Sequence, residues 1–203
     1  MKDDGILSPD VARVLNLLGL LAMIGVLAGA YVYQFTYREL PCTLCQLQRL
    51  AMVAVAFGAA MNVTLGPHPR HYGVILVSAV FGAAISFRQS LLHINPFFNT
   101  DTGQPTLLDT SNPPFGQPVW GLHLYVWGIV LFSAVILAVG IAQLFRGQYA
   151  AVVPGRDRLG RFAVIAVAIL FVTASAETVT TFLECGLADC PNDGSWNWWF
   201  LRG

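Results

Sequence analysis

The stretch Glu39-Leu40-Pro41-Cys42-Thr43-Leu44-Cys45-Gln46-Leu47-Gln48-Arg49 opens an apolar run that continues through residue 65. A hydrocarbon core about 30 Å thick needs roughly 20 apolar residues per helix, and residues 46–65 meet that length. Pro41 suits the first turn of a helix, where the missing N–H costs no hydrogen bond. Cys42, Cys45 and Arg49 then fall at i, i+3 and i+7, on one helical face. A dithiol motif therefore stands where a membrane helix meets water.

Four further stretches have spanning length: residues 11–33, 72–93, 119–145 and 162–182. The chain of 203 residues is 56% hydrophobic and 11% charged, with a mean hydropathy of +0.63. These values exclude a disordered chain and fit a polytopic membrane protein. Gly and Ala scattered through the runs suit close helix packing, and the alternating ten-residue segments of a β-barrel are not found. The expected fold is all-α: one integral membrane domain over residues 1–203, with an outer tail at 183–203. The first run is too long for a signal-peptide core and continues into the aromatic cluster Tyr31-Val32-Tyr33, so it reads as an anchor. A net charge of +0 gives no reason to expect nucleic acid; membrane lipid is the expected surrounding.

Orientation follows from the loop cations. With the N-terminus inside, the inner segments hold Lys2, Arg13, Arg70, Arg146, Arg156, Arg158 and Arg161, and the outer ones only Arg38 and Arg202. The N-terminus is thus expected in the cytoplasm and the C-terminus outside. All four cysteines, Cys42, Cys45, Cys185 and Cys190, then lie at outer helix ends. In a bacterium that is the periplasmic side, where disulfides persist. Incidental apolar cysteines have no reason to gather there.

A helix N-terminus favours negative charge and lowers a thiol pKa, so a thiolate in Cys42-Thr43-Leu44-Cys45 is a competent nucleophile. Arg49, inside the apolar run, needs a partner or a polar cavity; a bound anion, a quinone carbonyl or snorkelling to the interface each serve. A c-type haem would require His after Cys45, where Gln46 stands. Four thiolates at a membrane surface could instead hold zinc, and that alternative stays open.

Pro-Cys-x-x-Cys-x-x-x-Arg at the entry of a second membrane helix resembles the DsbB family, the quinone-linked disulfide-generating proteins of the bacterial inner membrane. Two further patches agree: Gly82-Ala83-Ala84-Ile85-Ser86-Phe87-Arg88-Gln89-Ser90-Leu91-Leu92-His93 resembles the end of that family's third helix, and Gln117-Pro118-Val119-Trp120 the entry to its fourth. The resemblance covers roughly residues 12–145. It implies that Cys42 and Cys45 are the pair oxidised by a quinone (ubiquinone or menaquinone), with Cys45 next to the ring. It also implies that Arg49 supports quinone binding, and that His93 matches a histidine near the quinone in some members; an interfacial histidine at a helix end is the other reading of His93. Arg88 is either a pocket residue or a structural intramembrane arginine. The implied partner is a periplasmic thioredoxin-like dithiol oxidase, DsbA-like.

The chain departs from that family in one respect. The family's second cysteine pair lies between helices three and four, yet residues 94–118 contain no cysteine. A fifth helix is added, and Cys185 and Cys190 follow it. The expectation is that the partner-facing pair has moved from a loop to the tail, which Trp196, Trp198 and Trp199 hold at the headgroup layer or present to a partner. Electrons would pass from the reduced partner through Cys185/Cys190 and Cys42/Cys45 to quinone. The reverse direction, a reductase, would need thiols on the inner side, and none is found; a non-catalytic subunit with structural disulfides is the other alternative. Glu177, a carboxylate within the fifth run, is a functional candidate by position, either as a partner of Arg49 or Arg88 or as a proton relay.

Overall fold

The computed structural model describes residues 8–37, 42–94, 119–149 and 158–186. They form α1 (Pro9–Tyr37), α2 (Thr43–Leu65), α3 (Pro69–Ile94), α4 (Leu124–Gln143), a 3₁₀ turn at Arg146–Tyr149 and α5 (Arg158–Cys185). All five helices are long and apolar enough to cross a membrane, and among the described residues there is no strand. The chain is an all-α polytopic membrane protein.

Local chemistry sets the helix ends. Ser8 Oγ accepts from the Val11 N–H at 3.4 Å while Pro9 fills the first helical position, where its fixed φ is already helical. Pro69 opens α3 in the same way. At the far end of α5, Gly186 takes φ 73° and its N–H reaches the Phe182 carbonyl at 2.8 Å, a left-handed cap that a residue without Cβ adopts without strain.

α1 to α4 pack in sequence, each against the next, and α5 lies against α1 and α2. Small residues bring the helices close: Ala51, Ala56, Ala59 and Ala60 of α2 are all buried. On α3, a Cβ built at Gly82 would stand 2.2 Å from the Phe132 ring of α4, which is fully buried there. The outward faces carry Val77, Leu137, Leu144 and Val172, all largely exposed, as lipid-facing surfaces require.

A buried polar cluster ties together the end of the bundle where α1 begins and α2 ends. Asn16 Nδ2 donates to the Tyr72 hydroxyl at 2.9 Å, and that hydroxyl donates to Gln148 Oε1 at 2.9 Å. Asn62 Nδ2 donates to Asn16 Oδ1 at 2.9 Å, while Asn62 Oδ1 accepts the His68 N–H at 3.1 Å. Arg13, counted above among the loop cations, lies within α1; it is buried and donates from Nε to the Val63 carbonyl at 3.1 Å.

The fourth helix is shorter than the expected run of 119–145. Val119 and Leu122 exchange backbone hydrogen bonds of 2.9 and 3.2 Å around a tight turn, with Trp120 at φ 52° and Gly121 at φ 79°. Positive φ values cannot continue a right-handed helix, so α4 starts only at Leu124, after His123.

Candidate redox site and cavity

Cys42 stands at the N-cap of α2, and its Sγ accepts the Cys45 N–H at 3.1 Å. The two cysteines form a disulfide with a Cα–Cα separation of 5.1 Å. α3 supplies the third member of the site. Gln89 Nε2 donates to both sulfurs, at 3.4 Å each, and is held in place by Gln48, whose Nε2 donates to Gln89 Oε1 at 2.7 Å. Both amides are buried. α4 accommodates them with a glycine: a Cβ at Gly128 would come within 2.6 Å of Ser86 Oγ and 3.6 Å of Gln48 Oε1.

Arg49, one turn beyond Cys45 on the same helix, is held by α1. Its Nη1 donates to Gln34 Oε1 at 3.0 Å and its Nη2 to the Ala30 carbonyl at 3.3 Å. Gln34 in turn donates from Nε2 to Glu184 Oε2 of α5 at 2.6 Å.

These side chains border a cavity of about 680 Å³ inside the α1–α4 bundle. Its polar groups are few and gathered at one side, where Cys45, Gln48, Arg49 and Gln89 meet; Met52, Tyr125, Trp127 and Leu131 line the rest. Its rim includes Val26 of α1 with Leu124 and Val130 of α4, all exposed, and Trp120, which is 88% exposed. The cavity therefore opens between α1 and α4. The turn at its mouth is fixed by Trp127 Nε1, which donates to the Val119 carbonyl at 3.0 Å. A smaller cavity of about 350 Å³ lies between α2 and α5 and shares Arg49, facing Glu177, Thr178 and Thr181.

Of the residues expected from sequence, the structure brings Cys42, Cys45 and Arg49 together. Arg88 is exposed and is not among the residues lining the large cavity. His93 falls in the last turn of α3 and Cys185 closes α5, but their side chains, like Cys190 and the tryptophan tail, lie outside the described residues. Sequence reasoning missed Gln34, Gln48 and Gln89. The available signal was an amide in or beside an apolar run, where each polar group needs a partner.

An apolar cavity of several hundred Å³ with a few convergent polar groups suits a small, largely apolar ligand. A disulfide lies at its edge, with an amide donor on both sulfurs and a guanidinium one turn away. Fold and site together define a polytopic helical membrane protein built for thiol–disulfide chemistry.

Residues 12–142 match the family model described as Disulfide bond formation protein DsbB. The chain belongs to the DsbB family and is a membrane protein of disulfide bond formation. Disulfide bond formation protein B of Pseudomonas syringae pv. tomato is 30% identical over 171 residues, 73% of this chain and all of that protein. The protein of the same name from Burkholderia thailandensis is 29% identical over 154 residues, 65% of this chain and 89% of its own. No solved structure matches the chain. The family match runs from the first turn of α1 to the last turn of α4 and ends before α5.

Proposed function

We propose that this protein is a quinone-dependent thiol oxidase of the bacterial inner membrane, a single membrane domain with its N-terminus in the cytoplasm and its C-terminus in the periplasm. In this reading it takes electrons from a reduced DsbA-like dithiol protein and thereby generates disulfides. The observation that carries it is the placing of Cys45 and Arg49 on the wall of one largely apolar cavity. The residues present fit a quinone. Arg49 and the Gln48–Gln89 pair offer N–H donors for carbonyl oxygens, while Met52, Trp127 and Leu131 offer apolar contact. When bound, a quinone supplies a two-electron, two-proton acceptor.

The chain's own residues do the remaining work. The Cys42–Cys45 dithiol closes to the disulfide, releasing two electrons and two protons. The start of α2 and the Gln89 amide stabilise the sulfur that carries negative charge. Arg49, held by Gln34 and the Ala30 carbonyl, orients the acceptor beside Cys45. The disulfide is returned to the dithiol by exchange with the tail pair, Cys185 and Cys190, which is itself reduced by the partner through mixed disulfides.

Lipid extraction of the purified protein should recover ubiquinone or menaquinone in about one-to-one amount. Cys45→Ser should abolish reduction of a soluble quinone. Arg49→Gln should raise the quinone concentration needed for half-maximal rate by about tenfold, the loss of one charge-assisted hydrogen bond. A preparation with no quinone and no quinone reductase activity would assign the site to a structural disulfide instead. Replacing Cys185 and Cys190 by Ser should stop oxidation of the protein partner while leaving quinone reduction driven by a small thiol intact. Undiminished partner oxidation would make the tail pair a structural staple.

A further inference from the structure

α5 lies beyond the part of the chain that matches the family, yet it reaches the most exacting residue of the site. Arg49 is a permanent cation within a spanning helix, and such a charge must be offset by partners inside the protein. α1 gives it only neutral oxygens, Gln34 Oε1 and the Ala30 carbonyl. Among the described residues, the carboxylates near it come from α5. Glu184 is 1% exposed and is joined to the guanidinium through Gln34, by hydrogen bonds of 2.6 and 3.0 Å. Glu177 faces Arg49 across the smaller cavity, and its Oε1 has no hydrogen-bond partner among the described residues.

We propose that Glu184, acting through Gln34, is a positioning residue of the redox site: it holds the Arg49 guanidinium in place and sets how much of its positive charge reaches Cys45. Cys45 and Arg49 are four residues apart on α2, so their side chains are neighbours on one face. The charge delivered there decides how far the reduced, thiolate-bearing form is stabilised, and a stabilised reduced form makes a disulfide more oxidising. Glu184 thereby restrains the oxidising strength of the pair. An amide joined to both Arg49 and Glu184 carries orientation and charge together, which Glu177, without a hydrogen-bonded link to the guanidinium, does not. The inference rests on the reading of Cys45 as the electron-donating sulfur beside Arg49.

The test uses the full chain with Cys185→Ser and Cys190→Ser, so that only the Cys42–Cys45 pair titrates, equilibrated with mixtures of reduced and oxidised dithiothreitol. Protein disulfide plus dithiothreitol gives protein dithiol plus cyclic dithiothreitol disulfide; two electrons and two protons pass, and alkylation of free thiols reads the fraction reduced. Glu184→Gln keeps an oxygen for Gln34 Nε2 but removes the charge. Its equilibrium constant is expected to move towards the dithiol by about tenfold, as loss of one nearby charge at a partly screened site implies. Adding Gln34→Glu to Glu184→Gln puts the carboxylate directly against Arg49 and should return the constant to its starting value. In an Arg49→Gln background, Glu184→Gln should change nothing further. An unchanged constant in a folded Glu184→Gln protein overturns the proposal, as does the same tenfold shift when Arg49 is absent. If the single variant does not fold, the exchanged pair is read alone, and a tenfold departure from the parent overturns the proposal. No quinone enters the assay. A shift in a protein that binds none sinks the oxidase reading only, and an absent shift in an active quinone reductase sinks this proposal only.

Discussion

Replacing Gln89 by Leu isolates what one buried amide does for the sulfurs. Gln89 is 3% exposed, and its Nε2 donates to Cys42 and Cys45 at 3.4 Å each. A hydrogen bond to an ionised group contributes about 1.5–3 kcal/mol net, against about 0.5–1.5 for a neutral acceptor. The amide therefore favours the thiolate-bearing reduced state over the neutral disulfide by about 1–1.5 kcal/mol. Gln89→Leu should make the disulfide less oxidising, moving the dithiol–disulfide constant about five- to tenfold towards the disulfide. The substitution also strips Gln48 Nε2 of its acceptor, a cost of about 1–3 kcal/mol, but that loss falls on both redox states. It appears in thermal stability and cancels from the redox constant, and adding Gln48→Leu should recover part of it. Equilibration with dithiothreitol followed by thiol alkylation reads the constant, and melting in detergent reads the stability. A lowered melting temperature with an unmoved constant would show that the amide is only a strut and would refute the reasoning.

Three further outcomes are expected. Gly82→Ala sets a methyl 2.2 Å from the Phe132 ring, so it should cost about 1–3 kcal/mol by overpacking, with partial recovery when Phe132→Leu is added; melting in detergent checks both. Asn62→Leu should cost at least as much, because it leaves Asn16 Oδ1 and the His68 N–H without the partners they have now, and a change below about 0.5 kcal/mol would show that the cluster does not hold that end of the bundle. Reporter fusions after Gly66 and Gly155 should read cytoplasmic and those after Gly103 and Gly203 periplasmic; an inside reading at Gly203 would remove the tail cysteines from the proposed cycle.

The five helices were legible because spanning length is a local property of the chain: each expected run overlaps an observed helix. The three-residue spacing marked Cys42 and Cys45 as neighbours but left zinc open, and the family resemblance made them the redox pair; Arg49 was legible from its place in an apolar run. The fourth helix was misjudged at its start, because hydropathy does not register the positive φ values of Trp120 and Gly121. Glu177 was expected as a partner of Arg49 and faces it across the smaller cavity, but the amide partners of the site were not legible. Gln89 meets Cys42 across 47 positions, and Gln34 meets Glu184 across 150, contacts that arise only when α3 and α5 dock. An isolated Gln in an apolar helix declares that it needs a partner, and packing alone determines which one it finds.

The gap between α1 and α4 has a consequence for how supply to the cavity should be measured. Its rim is set among lipid-facing side chains, with Trp120 at the threshold. A hydrophobic guest with a long tail can dissolve in the bilayer, diffuse in two dimensions and enter sideways, leaving the tail among the acyl chains. The quantity that governs occupancy is then the guest's mole fraction in membrane or detergent, not its molarity in the tube. Apparent affinities from different preparations should converge only when rescaled by the volume of the hydrophobic phase, and diluting with empty micelles should weaken binding at constant total ligand.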